Sequence, residues 1–182
     1  MKSNRWVAIA VAIVVVVAVL YLVRRGGPDQ AVDLLTRYDE AKKQPSPDSF
    51  LGIEDIEIDG ETRKSIVTQA ASRLTFRVQV PDDAWLRVAL AMRPDVWEKE
   101  GNGVLFRIGV SDGRTFDPLV SQHLNPYARP NDRHWVPLFI DLSVYAGEEV
   151  EIILNTNTTL DGQPDDPRND IALWGSPEIV IR

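Results

Sequence analysis

Cysteine is absent from the 182 residues. That absence excludes disulfides, thiolate nucleophiles, zinc–thiolate sites and thioether-linked haem together. Histidine is nearly absent: His123 and His134 are the two present, and neither stands at a metal-ligand or catalytic spacing such as H-E-x-x-H. G-x-S-x-G, phosphate-loop and dinucleotide fingerprints are missing as well, and no internal repeat is visible. Glycoside hydrolysis needs a defined pair of carboxylates, and among 27 acidic residues no pair stands out. The chain is therefore expected to be no enzyme and to carry no cofactor and no metal centre.

Charge is missing from one long stretch. Residues 6–23, WVAIAVAIVVVVAVLYLV, hold no charged side chain. As a helix at ~1.5 Å per residue this run would span roughly 27 Å, close to the hydrocarbon thickness of a bilayer. A cleaved signal peptide has a shorter apolar run and small residues at its end. Here the run ends in Tyr21-Leu22-Val23-Arg24-Arg25, so a retained single-pass anchor is expected, contacting membrane lipid through residues 6–23. Trp6 and Tyr21 stand at the two headgroup levels, and Ala8 and Ala12 form a small-x-x-x-small pair suited to close helix packing. Lys2 and Arg5 argue for a cytoplasmic N-terminus, against the weaker counter-signal of Arg24 and Arg25. The expected location is the inner (cytoplasmic) membrane of a bacterium, with the soluble part periplasmic or extracellular.

The rest of the chain is acidic. Four of the 20 basic residues and none of the 27 acidic ones fall in residues 1–27, leaving a net charge of −11 beyond them. Such a surface argues against a nucleic-acid partner. The length leaves room for one soluble domain. The organisation expected is an anchor with its flanks at 1–27, a short helix and Pro-rich linker at 28–49, and a β-sandwich at 50–182. Within the linker, residues 29–43 (DQAVDLLTRYDEAKK) place Val32, Leu35 and Tyr38 at helical spacing. That predicts a short amphipathic helix whose apolar stripe lies on the sandwich, the membrane or a partner. From residue 50 the period changes to two. Leu74, Phe76, Val78 and Val80 alternate with polar residues, and strands are predicted near 85–92, 104–110, 135–142, 150–154 and 179–181. Turn chemistry separates them at Asp59-Gly60, Pro81-Asp82-Asp83, Asp112-Gly113 and Gly147. Many short strands without intervening long helices predict a mainly β fold, an antiparallel sandwich.

Three blocks sharpen this. His134-Trp135-Val-Pro-Leu-Phe-Ile-Asp141-Leu142-Ser143-Val-Tyr145-Ala146-Gly147, Ala172-Leu173-Trp174-Gly175-Ser176-Pro177-Glu178-Ile179, and the 73–84 strand–turn pair resemble recurrent blocks of galactose-binding-like jelly-roll domains. Such domains occur as accessory modules of bacterial membrane glycosyltransferases and sulfatases. The resemblance implies a jelly roll over residues 50–182. The residues within it read as structural: Asp141 and Ser143 cap a turn, Gly147 supplies a positive φ, and Trp174 closes the core.

Candidate contact residues come from two segments. Trp97 lies in the polar stretch 93–101, as a handle for a ligand or a lid on the core. Tyr127, Arg129, Arg133 and Trp135 lie in or beside the long 123–133 segment, the most basic spot of an acidic domain. Long loops of this kind are functional or mobile. The oxygen-rich loop 161–170 lacks the spacing of an EF-hand calcium site, and Arg168 is placed to neutralise it. Taken together, an anchor, a short helix and no catalytic constellation lead to the expectation of an interaction subunit that docks to a larger membrane protein complex of the respiratory or photosynthetic type. The alternative is a cell-surface carbohydrate-binding module.

Overall fold

A computed structural model describes residues 31–158 and 165–182. The anchor residues Trp6, Ala8, Ala12 and Tyr21 lie outside the described residues. Among the described residues no helix is long and apolar enough to cross a membrane.

The strands are β1 (Val32–Asp33), β2 (Lys42–Gln44), β3 (Phe50–Ile58), β4 (Glu61–Gln69), β5 (Ser72–Gln79), β6 (Ala84–Met92), β7 (Val104–Ser111), β8 (Phe116–Leu124), β9 (Val136–Asp141), β10 (Glu149–Asn157) and β11 (Ile171–Ile181). They form two antiparallel sheets. One has the order β3-β4-β11-β6-β9, with β1 also pairing β11; the other has the order β2-β5-β10-β7-β8. The chain passes repeatedly between the sheets, so its inward side chains interdigitate in one core. Leu74, Phe76 and Val78 of β5 meet Leu86, Val88 and Leu90 of β6, and Ile152 and Leu154 of β10, all buried. Phe106 and Trp174 meet edge to face at 5.1 Å between ring centroids, the geometry the ring quadrupole favours.

The expected block structure holds in detail. Asp141 Oδ1 accepts from the Ser143 N–H at 2.8 Å and from its hydroxyl at 2.6 Å. These bonds hold the Asp141 carboxyl below the usual carboxylate range, the Ser143 hydroxyl first. Gly147 has φ 76°, and Trp174 is fully buried.

Over residues 31–43, the described part of the segment 29–43, the expected helix is not formed. The segment gives β1, a series of tight turns and β2. Asp33 Oδ1 accepts from the Leu35 N–H at 2.8 Å, and successive i→i+3 bonds follow, from Arg37 to Leu34 and from Tyr38 to Leu35. The stripe seen in the sequence is real, but its partner is the sandwich: Leu34 is fully buried, and Val32, Leu35 and Tyr38 pack against the core. A helix this short is marginal by itself. Two open sheet edges offer the backbone better partners, so β1 pairs with Ile179 and Glu178 while β2 pairs with Arg73, Leu74 and Thr75. The span expected as a helix and linker thus completes both sheets.

A second, smaller apolar cluster sits on the opposite face of the first sheet. Ile58, Val67, Ala89, Ala91 and Leu173 surround Trp135 there. Ala89 lies opposite Gly175 and Ala91 opposite Leu173, which leaves a shallow trough. The Trp135 ring fills it so closely that a Cβ on Gly175 would stand 2.9 Å from Cζ3.

Candidate functional site

The two ends of the sandwich differ. At one end the strands are joined by tight turns such as Asp59-Gly60 and Asp112-Gly113. At the other, three long connections converge: residues 93–103, residues 125–135, and the described residues 158 and 165–170 of the third. Side-chain amides tie them together. Asn125 Nδ2 donates to the Gly101 carbonyl at 3.3 Å, Asn169 Nδ2 to the Glu100 carbonyl at 2.9 Å, and Asn102 Nδ2 to the Thr158 carbonyl at 2.8 Å. Glycine permits the closeness. A Cβ on Gly101 would lie 2.8 Å from the Arg168 carbonyl oxygen, and one on Gly103, at φ +82°, would lie 2.2 Å from that of Leu124. Gly103→Ala combines that clash with a left-handed backbone. It is expected to cost about 1–3 kcal/mol, read as a lowered urea midpoint at unchanged slope.

The sequence-derived contact residues fall into two groups. Trp97 is half-buried against both apolar clusters, and its indole N–H donates to the Met92 carbonyl at 2.8 Å, so it is placed as a lid. Trp135 is 6 % exposed and donates to the Glu61 carbonyl at 3.2 Å. Arg133 links two loops, donating to the Pro126 carbonyl at 2.9 Å and pairing with Glu98 at 2.6 Å. Arg129 pairs with Asp132 at 2.8 Å and donates to His123 Nδ1 at 3.0 Å. His123 in turn donates from Nε2 to the Asn102 carbonyl at 2.8 Å. Burial first, and the Arg129 charge with it, hold this imidazole below its ordinary pKa. Tyr127 is placed differently: its ring is 46 % exposed.

Behind Tyr127 lies the last residue of the oxygen-rich loop 161–170, whose burial the sequence did not mark. Asp170, at the foot of β11, is fully buried, and neither carboxylate oxygen has a hydrogen-bond partner among the described residues. Burial, with Asp166 and Asp165 adding repulsion, raises its pKa to about 8, so near neutral pH it is largely protonated and able both to donate and to accept. It borders a recess of about 10 Å³ shared with Lys99, Asn125, Tyr127 and Asn169, room for one water-sized group. The neighbouring acids are engaged. Asp166 is bound by Arg168 at 2.7 and 2.8 Å, and Asp165 takes the Thr158 hydroxyl. Among the described residues no group of three or more His, Asp or Glu is arranged to hold a metal ion.

No protein-family model matches the chain. An uncharacterised protein of Archaeoglobus fulgidus is 34% identical over 151 residues, which is 80% of this chain and 37% of that protein. The chain thus spans little more than a third of that relative. Among solved structures, the second CBM51 module with the INT domain of Clostridium perfringens ZmpB superposes with a TM-score of 0.56 at 16% identity, over 82% of this chain and 31% of that one. The CBM51 module of the GH95 protein from the same organism, solved with methyl-galactose, gives 0.55 at 13% identity, over 83% of this chain and all of that one. The tandem CBM51 modules of a Streptococcus pneumoniae family 98 glycoside hydrolase give 0.51 at 12% identity, over 87% and 49%. The fold is a galactose-binding-like jelly-roll β-sandwich. Identities this low establish the fold alone. The expectation of a subunit that docks to a larger membrane complex is corrected by them: the structures that match are carbohydrate-binding modules, in accord with the alternative reading.

Proposed function

We propose that the sandwich is a non-catalytic carbohydrate-binding module that takes a neutral sugar at its loop end. The observation that carries this is the exposed Tyr127 ring beside the recess of Asp170. A pyranose offers a C–H face to an aromatic ring and hydroxyls that both donate and accept. The protonated Asp170 carboxyl has the same dual capacity, and the recess admits one hydroxyl-sized group. Arg129, Arg133, His123 and the three asparagines hold the loops in place around it. In this reading the apolar run 6–23 holds the module at a membrane with the sandwich outside the cell, where glycans are met. Protease treatment of intact cells tests that placement: the sandwich is expected to be digested without lysis.

Glycan-array screening followed by calorimetry tests the binding. Tyr127→Ala is expected to weaken the best monosaccharide or disaccharide about tenfold or more with an unchanged thermal transition. Wild-type protein that holds no glycan, or a Tyr127→Ala variant that binds undiminished, overturns the reading.

A further inference from the structure

The five-stranded sheet has an outer face that the loop end does not use. Its strands are in register so that one residue from each falls on a single line across the sheet. Ser121 pairs with Arg107, Arg107 with Asn155, Asn155 with Arg73, and Arg73 with Gln44. All five project opposite to Leu74, Phe106 and Leu154, which fill the core. With strands ~4.8 Å apart the line runs roughly 19 Å. Guanidinium and carboxamide alternate along its middle, planar groups that offer paired donors and acceptors. Arg73 Nε donates to Asn155 Oδ1 at 3.2 Å, and Asn155 Nδ2 donates to Asn157 Oδ1 at 2.5 Å, so the row is pre-ordered. At its Gln44 end is an open hollow of about 220 Å³, lined by Gln44, Pro45, Ser72, Arg73, Asn155 and Asn157.

Beside this row lies an aromatic platform. Phe116 is 54 % exposed, yet its ring edge rests on Gly109: a Cβ there would be 2.4 Å from both Cε2 and Cζ. Gly109 pairs with Ile153 one step along the strands from the polar row, and Ile153 is 8 % exposed. Next to it Arg77 lies between Glu149 and Glu151, so these two glutamates offset most of the charge of Arg73, Arg77 and Arg107. The face therefore carries no strong field for an anionic partner, and one exposed aromatic ring is too little for the apolar centre of a protein interface.

We propose that this face is a second glycan-binding surface, which takes an extended neutral oligosaccharide laid across the strands, stacked on Phe116 and hydrogen-bonded along Arg107, Asn155, Arg73 and Gln44. Vicinal hydroxyl pairs repeat along such a chain and meet planar donor–acceptor groups that repeat along the row. The observations are independent of Tyr127 and Asp170, although the expectation of a sugar rests on the reading of the domain as a carbohydrate module.

The test uses the full chain in a detergent without a sugar headgroup. Neutral tetrasaccharides of the gluco, galacto and manno series are titrated by calorimetry and compared with the corresponding monosaccharides. Phe116→Ala and Arg73→Ala, both at exposed positions, are each expected to weaken tetrasaccharide binding about tenfold and to leave monosaccharide binding unchanged. Tyr127→Ala is expected to do the reverse, leaving a tetrasaccharide isotherm in place. A single binding event abolished by Tyr127→Ala and indifferent to Phe116→Ala and Arg73→Ala overturns the sheet-face site while sparing the loop-end reading. Tetrasaccharide binding that survives Tyr127→Ala but is lost in Phe116→Ala, with no monosaccharide bound, spares the sheet face and overturns the loop end. Failure of every sugar, or capture of an acidic peptide in place of sugar on this face, overturns the proposal.

Discussion

Trp174→Ala should remove about 3–5 kcal/mol of stability, a large share of the ~5–15 kcal/mol that a domain possesses. The ring is fully buried between the sheets and meets Phe106 edge to face, so truncation loses both transfer energy and the packed contact, and leaves a cavity that rigid strands on either side do not close. Urea unfolding followed by far-ultraviolet circular dichroism would read the effect as a lower midpoint. Trp174→Phe supplies the internal comparison. The indole N–H has no hydrogen-bond partner among the described residues, so phenylalanine forfeits no bond while keeping most of the apolar volume. Its cost is expected to be less than half that of alanine. Equal losses for the two substitutions would mean that the indole nitrogen is bonded after all, and a loss below about 1 kcal/mol for alanine would mean that Trp174 does not hold the core.

Asp170→Asn should make the protein more stable at pH 8 and leave it nearly unchanged at pH 4. The sign follows from the direction of the shift. The folded-state pKa is raised to about 8 by burial and by Asp166 and Asp165, against about 3.9 in the unfolded chain. Below the unfolded value both states are protonated, and the wild-type domain has its full stability. Between about pH 4 and pH 8 the unfolded chain releases the proton while the folded one keeps it, so stability falls as pH rises and the loss levels off above the folded value. The four-unit gap sets an upper bound of about 5 kcal/mol; relaxation and water entry would bring the observed gain of the asparagine variant at pH 8 to about 2–3 kcal/mol. Chemical denaturation of both proteins from pH 4 to 8 tests this. Parallel stability curves would show that Asp170 titrates normally.

The sandwich was legible because inward side chains repeat every second residue. In β5, β6 and β7 this pattern covers nearly the whole strand, and the predicted bounds agree with the observed ones to one or two residues. Beyond residue 50, β4 and β8 went unmarked for identifiable reasons. β4 opens with Glu61, Thr62, Arg63 and Lys64, with little apolar alternation, and acquires its burial from β3 and β11 on either side. β8 contains Pro118, which argues against a central strand but is tolerated here because β8 is an edge, with an irregular register opposite Ile108 and Gly109. The 29–43 segment misled in another way. Three apolar residues at spacings of three fit a helix and a run of tight turns equally well, and the choice was made by unpaired edges of distant strands.

The site was legible only in part. Tyr127 was marked by its long polar loop, and the structure leaves its ring exposed. Trp135 carried the same signal, but small residues elsewhere, Ala89, Ala91 and Gly175, make a trough that takes the ring. An Ala-x-Ala pair in a central strand is a cue for a large side chain on that face, although one sequence does not say which. Asp170 was marked only as the end of the oxygen-rich loop 161–170, and nothing local signalled its burial. Its isolation from water is made by three loops separated by up to seventy residues, as in the Asn169–Glu100 bond, and periodicity carries no information about contacts of that range.

Because β1 joins β11 through only two residue pairs, Val32 with Ile179 and Asp33 with Glu178, it is a weak seam in a strong garment. Any pull from the preceding chain arrives there first. Tension would peel this short strip and the turns behind it before reaching the long ladders of the sandwich, so the domain has slack to yield, and to re-dock, while its loop end keeps its shape.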